Sequence, residues 1–260
     1  MTLKLGWFTA GRGPGSRGMF ERALAAIDDG SLDASVEFVF MHRERGEGQG
    51  SDSFIDLAES RGIPVVNLSS VKFRKQHGGD FASHREEFDT EVVKRLHSHT
   101  ADVCILAGYL LIQSPILNSI YRFVNLHPAL PSGPIGLWQK VIWDLVDQRA
   151  NETGNMTFVA TKDLDLGPQL TYDRVPIKGG YFDALWSGIG LGSSPKLKKT
   201  DGEDHPLFQA IRAEGVKREP LLLVETLKAI ANCTLDIEDP PASPIDLTDQ
   251  VEAALEKNSQ

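Results

Sequence analysis

Short apolar runs alternate with segments of helical periodicity through the first half of the chain, and this alternation restricts the fold more than any other feature. Four runs have the composition of β-strands: residues 3–8, 36–41, 65–66 and 102–106. Between them, apolar residues recur every three or four positions, which predicts helices. Strands that alternate with helices predict βαβ units and an α/β fold with a doubly wound, mostly parallel sheet. Ligands of such sheets bind beyond the carboxyl ends of the strands.

The pattern changes past residue 150. We expect two further strands, at residues 156–160 and 169–175, then a long surface loop over residues 178–206. C-terminal helices are expected from residue 207 and over residues 221–231. The proline-rich segment 239–244 predicts a linker, and Thr248 begins a short terminal helix. The chain therefore divides into a main domain, residues 1–235, and a Pro-rich linker with a short terminal helix, residues 236–260.

Ser83 and Glu86 stand three residues apart before a run of apolar residues at helical spacing. This spacing predicts a capping box, in which each side chain binds the backbone N–H of the other residue. A helix is therefore expected to begin next to Ser83.

The chain is acidic, with 260 residues and a formal net charge of -9. This charge argues against a nucleic-acid partner, so an anionic ligand must be held by a local arrangement of donors. Cys104 and Cys233 are the only cysteines and both lie in apolar or helical patterns, so we expect two buried thiols and neither a disulfide nor a metal-binding pair. We expect no signal peptide and no membrane span, and hence a cytoplasmic protein.

A glycine-rich turn at residues 11–18 follows the first predicted strand. Its Gly13-x-Gly15-x-x-Gly18 spacing matches the dinucleotide-binding pattern, and Arg43 at the end of the second strand would suit a 2′-phosphate. A second interpretation is a phosphate cradle, made by backbone N–H groups at a helix N-terminus with Arg12 and Arg17 beside them. A third is a tight turn that binds nothing. The physics of the turn favours the phosphate cradle.

A second motif ends the strand predicted near residue 125. Side chains alternate along a strand, so Asn125 and His127 point to the same face, and Pro128 stops the strand just after them. An amide and an imidazole that converge at the carboxyl end of a strand can both donate to one oxygen, as the stabilisation of an oxyanion requires. The alternative is a structural histidine that caps a loop.

A third motif is the turn at residues 163–168, with the sequence Asp-Leu-Asp-Leu-Gly-Pro. A carboxylate of Asp165 close to His127 would hold the imidazole in a fixed orientation. A turn of this composition is also common without any function, and the spacing alone does not bring the two side chains together.

In chain order, these segments resemble the folate-dependent formyltransferases, within which the match is to enzymes that formylate glycinamide ribonucleotide. The resemblance covers roughly residues 3–176. The matching motifs are Gly15-Ser16-Arg17, Arg85-Glu-Glu-Phe-Asp89, Asp102-Val-Cys-Ile-Leu-Ala-Gly-Tyr109, Asn125-Leu-His-Pro-Ala-Leu-Pro131 and Asp165-Leu-Gly-Pro168. The combination of Asn-x-His-Pro with the later Asp-x-Gly-Pro is the specific part.

The resemblance implies a role for each matching segment, in a Rossmann-like formyltransferase domain. The groups that stabilise the attacked formyl oxygen would be Asn125 and His127, with Asp165 helping to relay the proton of the amine. The residues at the folate would be Leu110, Leu111, Ile112, Gln113 and Asn125. The residues at the phosphate of the amine substrate would be Gly15, Ser16, Arg17 and Arg85. No metal is implied.

The expected reaction is transfer of a formyl group from 10-formyltetrahydrofolate to the amine of a phosphorylated substrate, glycinamide ribonucleotide of purine biosynthesis. Amino-sugar nucleotides are an alternative acceptor of the same chemical class. Two alternatives belong to other functional classes: an NADP-binding reductase, and a non-catalytic relative that binds folate or a nucleotide. A homodimer is possible on the sequence.

Overall fold

The computed structural model describes residues 1–161 and 166–258. Over these residues the chain forms eight strands: β1 (Leu3–Thr9), β2 (Ala34–Met41), β3 (Val65–Asn67), β4 (Val103–Leu106), β5 (Phe123–His127), β6 (Glu152–Ala160), β7 (Gln169–Pro176) and β8 (Ile245–Asp246). The same residues form ten α-helices: α1 (Pro14–Asp28), α2 (Gln49–Ser60), α3 (Ser70–Gln76), α4 (Arg85–Arg95), α5 (Pro115–Ile120), α6 (Trp138–Asp147), α7 (Tyr181–Trp186), α8 (Ser194–Thr200), α9 (Pro206–Ala231) and α10 (Thr248–Asn258).

All eight strands belong to one sheet, in the order β3-β2-β1-β4-β5-β6-β7-β8. Strands β1 to β5 pair in parallel, β6 is antiparallel to both of its neighbours, and β8 returns to a parallel pairing with β7. Strand β7 runs antiparallel to β6 because the eight residues 161–168 that connect them are too few for a parallel crossover. The predicted α/β fold with a doubly wound, mostly parallel sheet is confirmed.

Helices cover both faces of the sheet, and each face has its own apolar core. On one face, α1, α2 and α9 pack over side chains such as Leu5, Trp7 and Val124. On the other face, α3, α4 and α5 pack over Phe8, Phe40 and their neighbours. The central strands are therefore buried on both faces, which agrees with their continuous apolar sequences. Among the described residues, no helix has both the length and the apolar character that a bilayer crossing needs.

The prediction of a long surface loop over residues 178–206 is wrong. This segment contains α7 and α8, and it buries Phe182, Trp186 and Ile189 in a third apolar core with residues of α6 and α9. The Trp186 indole N–H donates to the carbonyl of Ile177 at 2.5 Å. Three large apolar side chains spaced among glycines and lysines provide enough buried area for an ordered segment, although their spacing has no clear period.

Helix α9 is one continuous helix, where the sequence predicted two. Pro220 lies inside it, and the residues after Pro220 are among its most buried, including Leu222 and Leu223. Packing against α1, the sheet and α10 outweighs the backbone hydrogen bond that a proline removes.

Two smaller predictions about single residues also fail. Helix α4 begins at Arg85 with His84 as N-cap and with no side-chain capping bond, so the predicted capping box is wrong. The backbone N–H of Ser83 instead donates to the Asp80 carboxylate at 3.1 Å, which keeps Ser83 in the preceding turn. Cys233 is exposed, because it follows the end of α9 at a φ of 58°. Cys104 is buried in β4, as expected.

A buried ionic network joins the C-terminal segment to the sheet. The guanidinium of Arg218 in α9 faces the Asp173 carboxylate of β7 at 3.5 Å and binds Glu252 of α10 at 2.6 Å. Asp173 is fully buried and also accepts a hydrogen bond from the Asn155 backbone N–H. Burial raises the pKa of Asp173, while the bonds from Asn155 and the charge of Arg218 lower it. Leu247 and Val251 complete the contact by packing on Leu221 and Leu222. The division of the chain at residue 235 stays a prediction.

Replacing Arg218 by Met is expected to lower the free energy of unfolding by about 3 kcal/mol, because Asp173 is left buried without its cation. Urea unfolding at neutral pH measures this change. The double variant Arg218→Met/Asp173→Asn should recover part of the loss. Arg45→Met removes exposed ion pairs and should leave the midpoint unchanged. Equal midpoints for Arg218→Met and the unmodified protein would contradict the role of this network.

Candidate active site

A cavity of about 550 Å³ opens at the carboxyl ends of β4 and β5. Most of its wall is apolar, with side chains such as Leu106, Trp138 and Phe158. The sequence-predicted residues on its wall are Leu110, Leu111, Ile112, Gln113, Asn125 and His127. The structure therefore brings the predicted folate segment and two of the three predicted catalytic residues to one cavity. The third, Asp165, lies outside the described residues.

The orientation of Asn125 is determined by its own backbone. Its side-chain Oδ1 accepts a hydrogen bond from the Leu126 N–H at 2.9 Å. Because an amide has one acceptor and one donor end, this bond leaves the Nδ2 group of Asn125 as the end available to a ligand. Asn125 and His127 occupy alternate positions of β5 and so lie on the same face, as the alternation predicted.

His127 is 4% exposed and its Nε2 lies 2.8 Å from the carbonyl oxygen of Pro134. A carbonyl only accepts, so Nε2 carries the hydrogen and donates it to Pro134. In the neutral ring, Nδ1 is therefore an acceptor, and it becomes a donor when the ring is an imidazolium. The contact with Pro134 holds the ring in place at the cavity wall, and Nδ1 is the nitrogen left to exchange a proton with a substrate.

The segment from Gly108 to Ser114 crosses the mouth of the cavity in a strained path. Gly108 has φ 69° and Leu110 φ 58°, the second of which is costly for a leucine. The Leu110 side chain is 75% exposed beside the cavity, although it is large and apolar. On the opposite side, the N–H of Ser114 donates to the buried Asp89 carboxylate at 2.5 Å, which anchors the segment to α4. Strain and exposure at Leu110 fit a segment that is shaped for a ligand.

Gly108 also allows this segment to pack closely against α1. A Cβ at Gly108 would lie 2.9 Å from the Cβ of Ser16, closer than two such atoms approach, so the glycine allows the start of α1 to pack against the cavity wall. Met19 of α1 is itself part of that wall. The first turn of α1 and the cavity are therefore neighbouring parts of one surface.

The glycine-rich turn is largely helical, since α1 begins at Pro14 with Gly13 as N-cap. Gly15, Ser16 and Arg17 thus form its first turn rather than a separate loop. A Cβ at Gly13, Gly15 or Gly18 would meet no atom within 4 Å. The dinucleotide pattern requires a glycine there for close packing of helix and strand, and that requirement is not met.

Arg17 extends along the helix and pairs with Glu21 at 2.7 Å. Arg85, the other predicted phosphate residue, begins α4, and its charge lowers the pKa of the Asp89 carboxyl. That carboxyl accepts a hydrogen bond from Ser114, at the end of the segment at the cavity mouth. Through Asp89, the charge of Arg85 acts near residues 109–114, which belong to that segment. The structure does not bring Arg85 and Arg17 together by any contact within the described ranges.

Two other arginines lie at the ends of the neighbouring strands β1 and β2. Burial lowers the pKa of Arg43, and the charges of Arg12 and Arg74 lower it further, while Glu47 raises it. The neighbouring His42 is buried, and burial together with Arg43 and Arg12 lowers its pKa to about 4. Neither Arg12 nor Arg43 has a salt bridge with a residue that the structure describes. Cations held close together beside a helix N-terminus are an arrangement that could bind an anion in an acidic protein.

The cavity also contains a charged pair that the sequence did not indicate. Arg212 and Glu219 of α9 line the wall, 2.7 Å apart, and Arg212 stacks on the Trp138 ring at 4.5 Å. Both residues lie on α9 seven positions apart, within an ordinary helical pattern, and only the packing of α9 in the folded chain brings them to the cavity. No local motif distinguishes them.

Comparison with known proteins identifies the family. The model of the formyl transferase family matches residues 13–182. The chain belongs to the formyl transferase family. A curated phosphoribosylglycinamide formyltransferase from Escherichia coli (strain K12) is 32% identical over 169 residues, which are 64% of this chain and 71% of that protein. Membership confirms the predicted formyltransferase activity and 10-formyltetrahydrofolate as the formyl donor.

Solved structures share the whole fold at lower identity. The phosphoribosylglycinamide formyltransferase of Coxiella burnetii has a TM-score of 0.67 at 18% identity, over 95% of this chain and 99% of that one. The glycinamide ribonucleotide transformylase 1 of Symbiobacterium toebii has 0.65 at 18% identity, over 94% and 93%. A formyltetrahydrofolate deformylase of Pseudomonas syringae pv. tomato also has 0.65, at 17% identity, over 92% of this chain and 65% of that one. These likenesses confirm the formyltransferase-type fold.

The anchor of the cavity segment gives a pH-dependent prediction. Burial raises the pKa of Asp89 to about 6, although the bonds from Ser114 and the charge of Arg85 lower it. A raised pKa means that the neutral carboxyl is favoured in the folded state. Its contribution to the free energy of unfolding is therefore complete below about pH 4 and is lost as the pH rises through about 6. Asp89→Asn keeps an acceptor for Ser114 without the charge.

We expect Asp89→Asn to match the unmodified protein at pH 4 and to be more stable by roughly 1 to 3 kcal/mol at pH 7. Urea unfolding over this pH range measures the difference. Asp239→Asn, at an exposed carboxyl, should show no such trend. A difference that stays constant from pH 4 to pH 7 would contradict the raised pKa.

Proposed function

We propose that this formyl transferase moves the formyl group of 10-formyltetrahydrofolate to the amine of glycinamide ribonucleotide. The observation that carries the proposal is the pairing of Asn125 and His127 at the end of β5, on the wall of one apolar cavity. The name of the Escherichia coli relative, a phosphoribosylglycinamide formyltransferase, supports this acceptor. A location in the cytoplasm and a homodimer stay predictions.

The residues of β5 suit acyl transfer. When bound, 10-formyltetrahydrofolate supplies the formyl group, and attack by the acceptor amine places negative charge on the formyl oxygen. The free amide donor of Asn125 and the imidazolium of His127 both donate to that oxygen, and a positive ring stabilises it more than a neutral one. His127 can then take part in proton exchange with the amine through Nδ1, while Nε2 remains bonded to Pro134.

The carboxylate proposed to support His127 is Asp165. A carboxylate beside the ring would favour the imidazolium and hold its orientation. This assignment rests on the motif Asp165-Leu-Gly-Pro168, which matches the family pattern. Because Asp165 lies outside the described residues, its role is a proposal from the sequence.

Folate is proposed to bind along the segment Leu110 to Gln113. The exposed side chains of Leu110 and Ile112 give a flat ring system an apolar surface, and the free backbone groups of a non-helical segment can bind its polar edge. The anchoring of Ser114 to Asp89 holds this segment at a constant distance from Asn125. The folate would then deliver its formyl group at the end of β5.

The phosphate of the acceptor is proposed to bind at the start of α1. The backbone N–H groups of Gly15 and Ser16 belong to the first turn, where helix donors are unpaired. Arg12 and Arg43 add two positive charges there. Arg17 contributes less than the sequence predicted, because it is paired with Glu21. Because Ser16 packs against Gly108, the proposed anion site would lie beside the cavity, as a substrate with a phosphate and a distant amine requires.

Two other acceptors suit the same scaffold. An amino-sugar nucleotide would use the same anion site and the same amine chemistry. The likeness to a formyltetrahydrofolate deformylase makes water a further candidate, in which case formate is released. An NADP-binding reductase is not favoured, because the glycines of the turn leave open space rather than a close packing contact.

His127→Ala is expected to lower kcat for formyl transfer by about 10² to 10³, because one donor to the developing oxyanion is lost. Spectroscopic detection of tetrahydrofolate release measures kcat, and folate binding should change little. His97→Ala, at an exposed histidine of the α4 end, serves as the control. If His127→Ala turns over at the normal rate, the proposed centre is wrong.

Arg43→Gln is expected to raise KM for glycinamide ribonucleotide by about tenfold to a hundredfold, since one charge-assisted hydrogen bond to phosphate is lost. The dissociation constant of folate should be unchanged, which separates the two subsites. Arg45→Gln, two residues further on and paired with Asp56 and Glu59, is the matched control. An unchanged KM would show that the phosphate binds elsewhere.

A further inference from the structure

Two histidines and a glutamate converge at the junction of α3 and α4. His77 follows the end of α3, His84 is the N-cap of α4, and Glu87 lies in the first turn of α4. One ligand atom from each lies within 4.8 Å of the other two. The Nε2 of His77 is 3.3 Å from one Glu87 oxygen, and the Nδ1 of His84 is 3.0 Å from the other. These separations are close to the ~3.4 Å expected between two ligands of one tetrahedral ion with bonds of about 2.1 Å.

A hydrogen bond outside the cluster determines which nitrogen of His77 is free. Its Nδ1 lies 2.9 Å from the carbonyl oxygen of Phe73, so Nδ1 donates its hydrogen to that carbonyl. In the neutral ring, Nε2 then carries a lone pair directed toward an anionic carboxylate. Two electron-pair donors at 3.3 Å repel each other unless a proton or a cation lies between them. Metal-binding histidines have this arrangement, with the second nitrogen donating to a backbone carbonyl.

The two imidazoles are also mutually packed, with ring centroids 4.2 Å apart and an interplanar angle of 41°. Two imidazolium rings at this distance would repel, so the cluster suits neutral rings that share one cation better than two protonated rings. His77 and His84 are both partly buried, whereas Glu87 is exposed. An ion would therefore reach the cluster from solvent on the side of Glu87.

We propose that His77, His84 and Glu87 bind one divalent transition-metal ion of the zinc class. Two imidazole nitrogens and one carboxylate are ligands that zinc accepts, and a water molecule would complete a tetrahedral set. The nitrogen ligands exclude magnesium and calcium, which prefer oxygen. None of the three residues lines the cavity at β5, so this site is separate from the formyl-transfer centre and does not depend on the identity of the acceptor.

The effect of the ion is to join two helices through a glycine-containing connection. Gly78 and Gly79 both have positive φ, at 63° and 96°, in the stretch between the two histidines. A metal bridge from His77 to His84 restricts this stretch and holds the first residue of α4, Arg85, in one place. Because α4 also carries Asp89, the ion would stabilise the element that anchors the folate segment.

The test is calorimetric titration of zinc chloride into untagged, chelator-treated protein. We expect one zinc per chain and a rise in Tm when zinc is present. His77→Gln, His84→Gln and Glu87→Gln should each weaken zinc binding by at least about tenfold. Cobalt should give a visible absorption band typical of tetrahedral coordination, and each variant should lose it.

His97→Gln is the matched control, because His97 is a surface histidine that bonds a backbone carbonyl of its own turn in the same way as His77. It should bind zinc as the unmodified protein does. His84 makes no side-chain capping bond and its pair with Glu87 is exposed, so His84→Gln should change the metal-free Tm little. Absence of saturable zinc binding to the unmodified protein, or equal binding by all three ligand variants, would overturn the proposal.

Discussion

The register between β4 and β5 is the constraint on which the candidate site depends. Leu106, the last residue of β4, lies opposite Asn125 of β5 in a parallel pairing. Because parallel strands end at the same edge, the segment after β4 must leave the sheet beside Asn125 and His127. Gly108 turns the chain at that point, and its missing side chain admits Ser16 of α1. The amide, the imidazole, the cavity segment and the helix N-terminus are therefore brought together by one pairing of two buried strands.

Electrostatics in this molecule are local. The chain has a net charge of -9, yet Arg12 and Arg43 follow the ends of β1 and β2, and the charge of Arg74 in α3 acts on Arg43 as well. At physiological salt, charges interact over about 8 Å, so the acidic remainder of the surface does not cancel these positive charges. The proposed phosphate site depends on this local charge. The buried network of Arg218 and Asp173 uses the same chemistry for packing instead of binding.

Much of the fold was predictable because its signals are local. The period of the apolar residues determined the alternating strands and helices, and the alternation along β5 determined that Asn125 and His127 share a face. Elements that depend on distant contacts were not predictable in this way. Helix α9 continues through Pro220 because α1, the sheet and α10 pack around it, and α7 forms because Phe182 and Trp186 find a core in α6 and α9.

The residues of the candidate site also separate into those that a local sequence motif indicated and those that none did. Motifs contiguous in sequence, such as Asn125-x-His127 and Leu110 to Gln113, were indicated correctly as neighbours at one edge of the sheet. The Arg212–Glu219 pair was not, since neither residue has a distinguishing local pattern. The pairing of Arg17 with Glu21 was likewise not indicated by the composition of the turn, and the role of Arg17 at a phosphate stays a prediction.

Transfer of the formyl group to a phosphorylated amine is the activity that we propose for this site. The most direct test supplies 10-formyltetrahydrofolate with an isotopic label on the formyl carbon, together with glycinamide ribonucleotide, and identifies the labelled product by mass spectrometry. We expect label in the formylated amine, with tetrahydrofolate release that depends on the acceptor. Label found in formate alone, at a rate that does not change when the acceptor is added, would contradict the proposed activity.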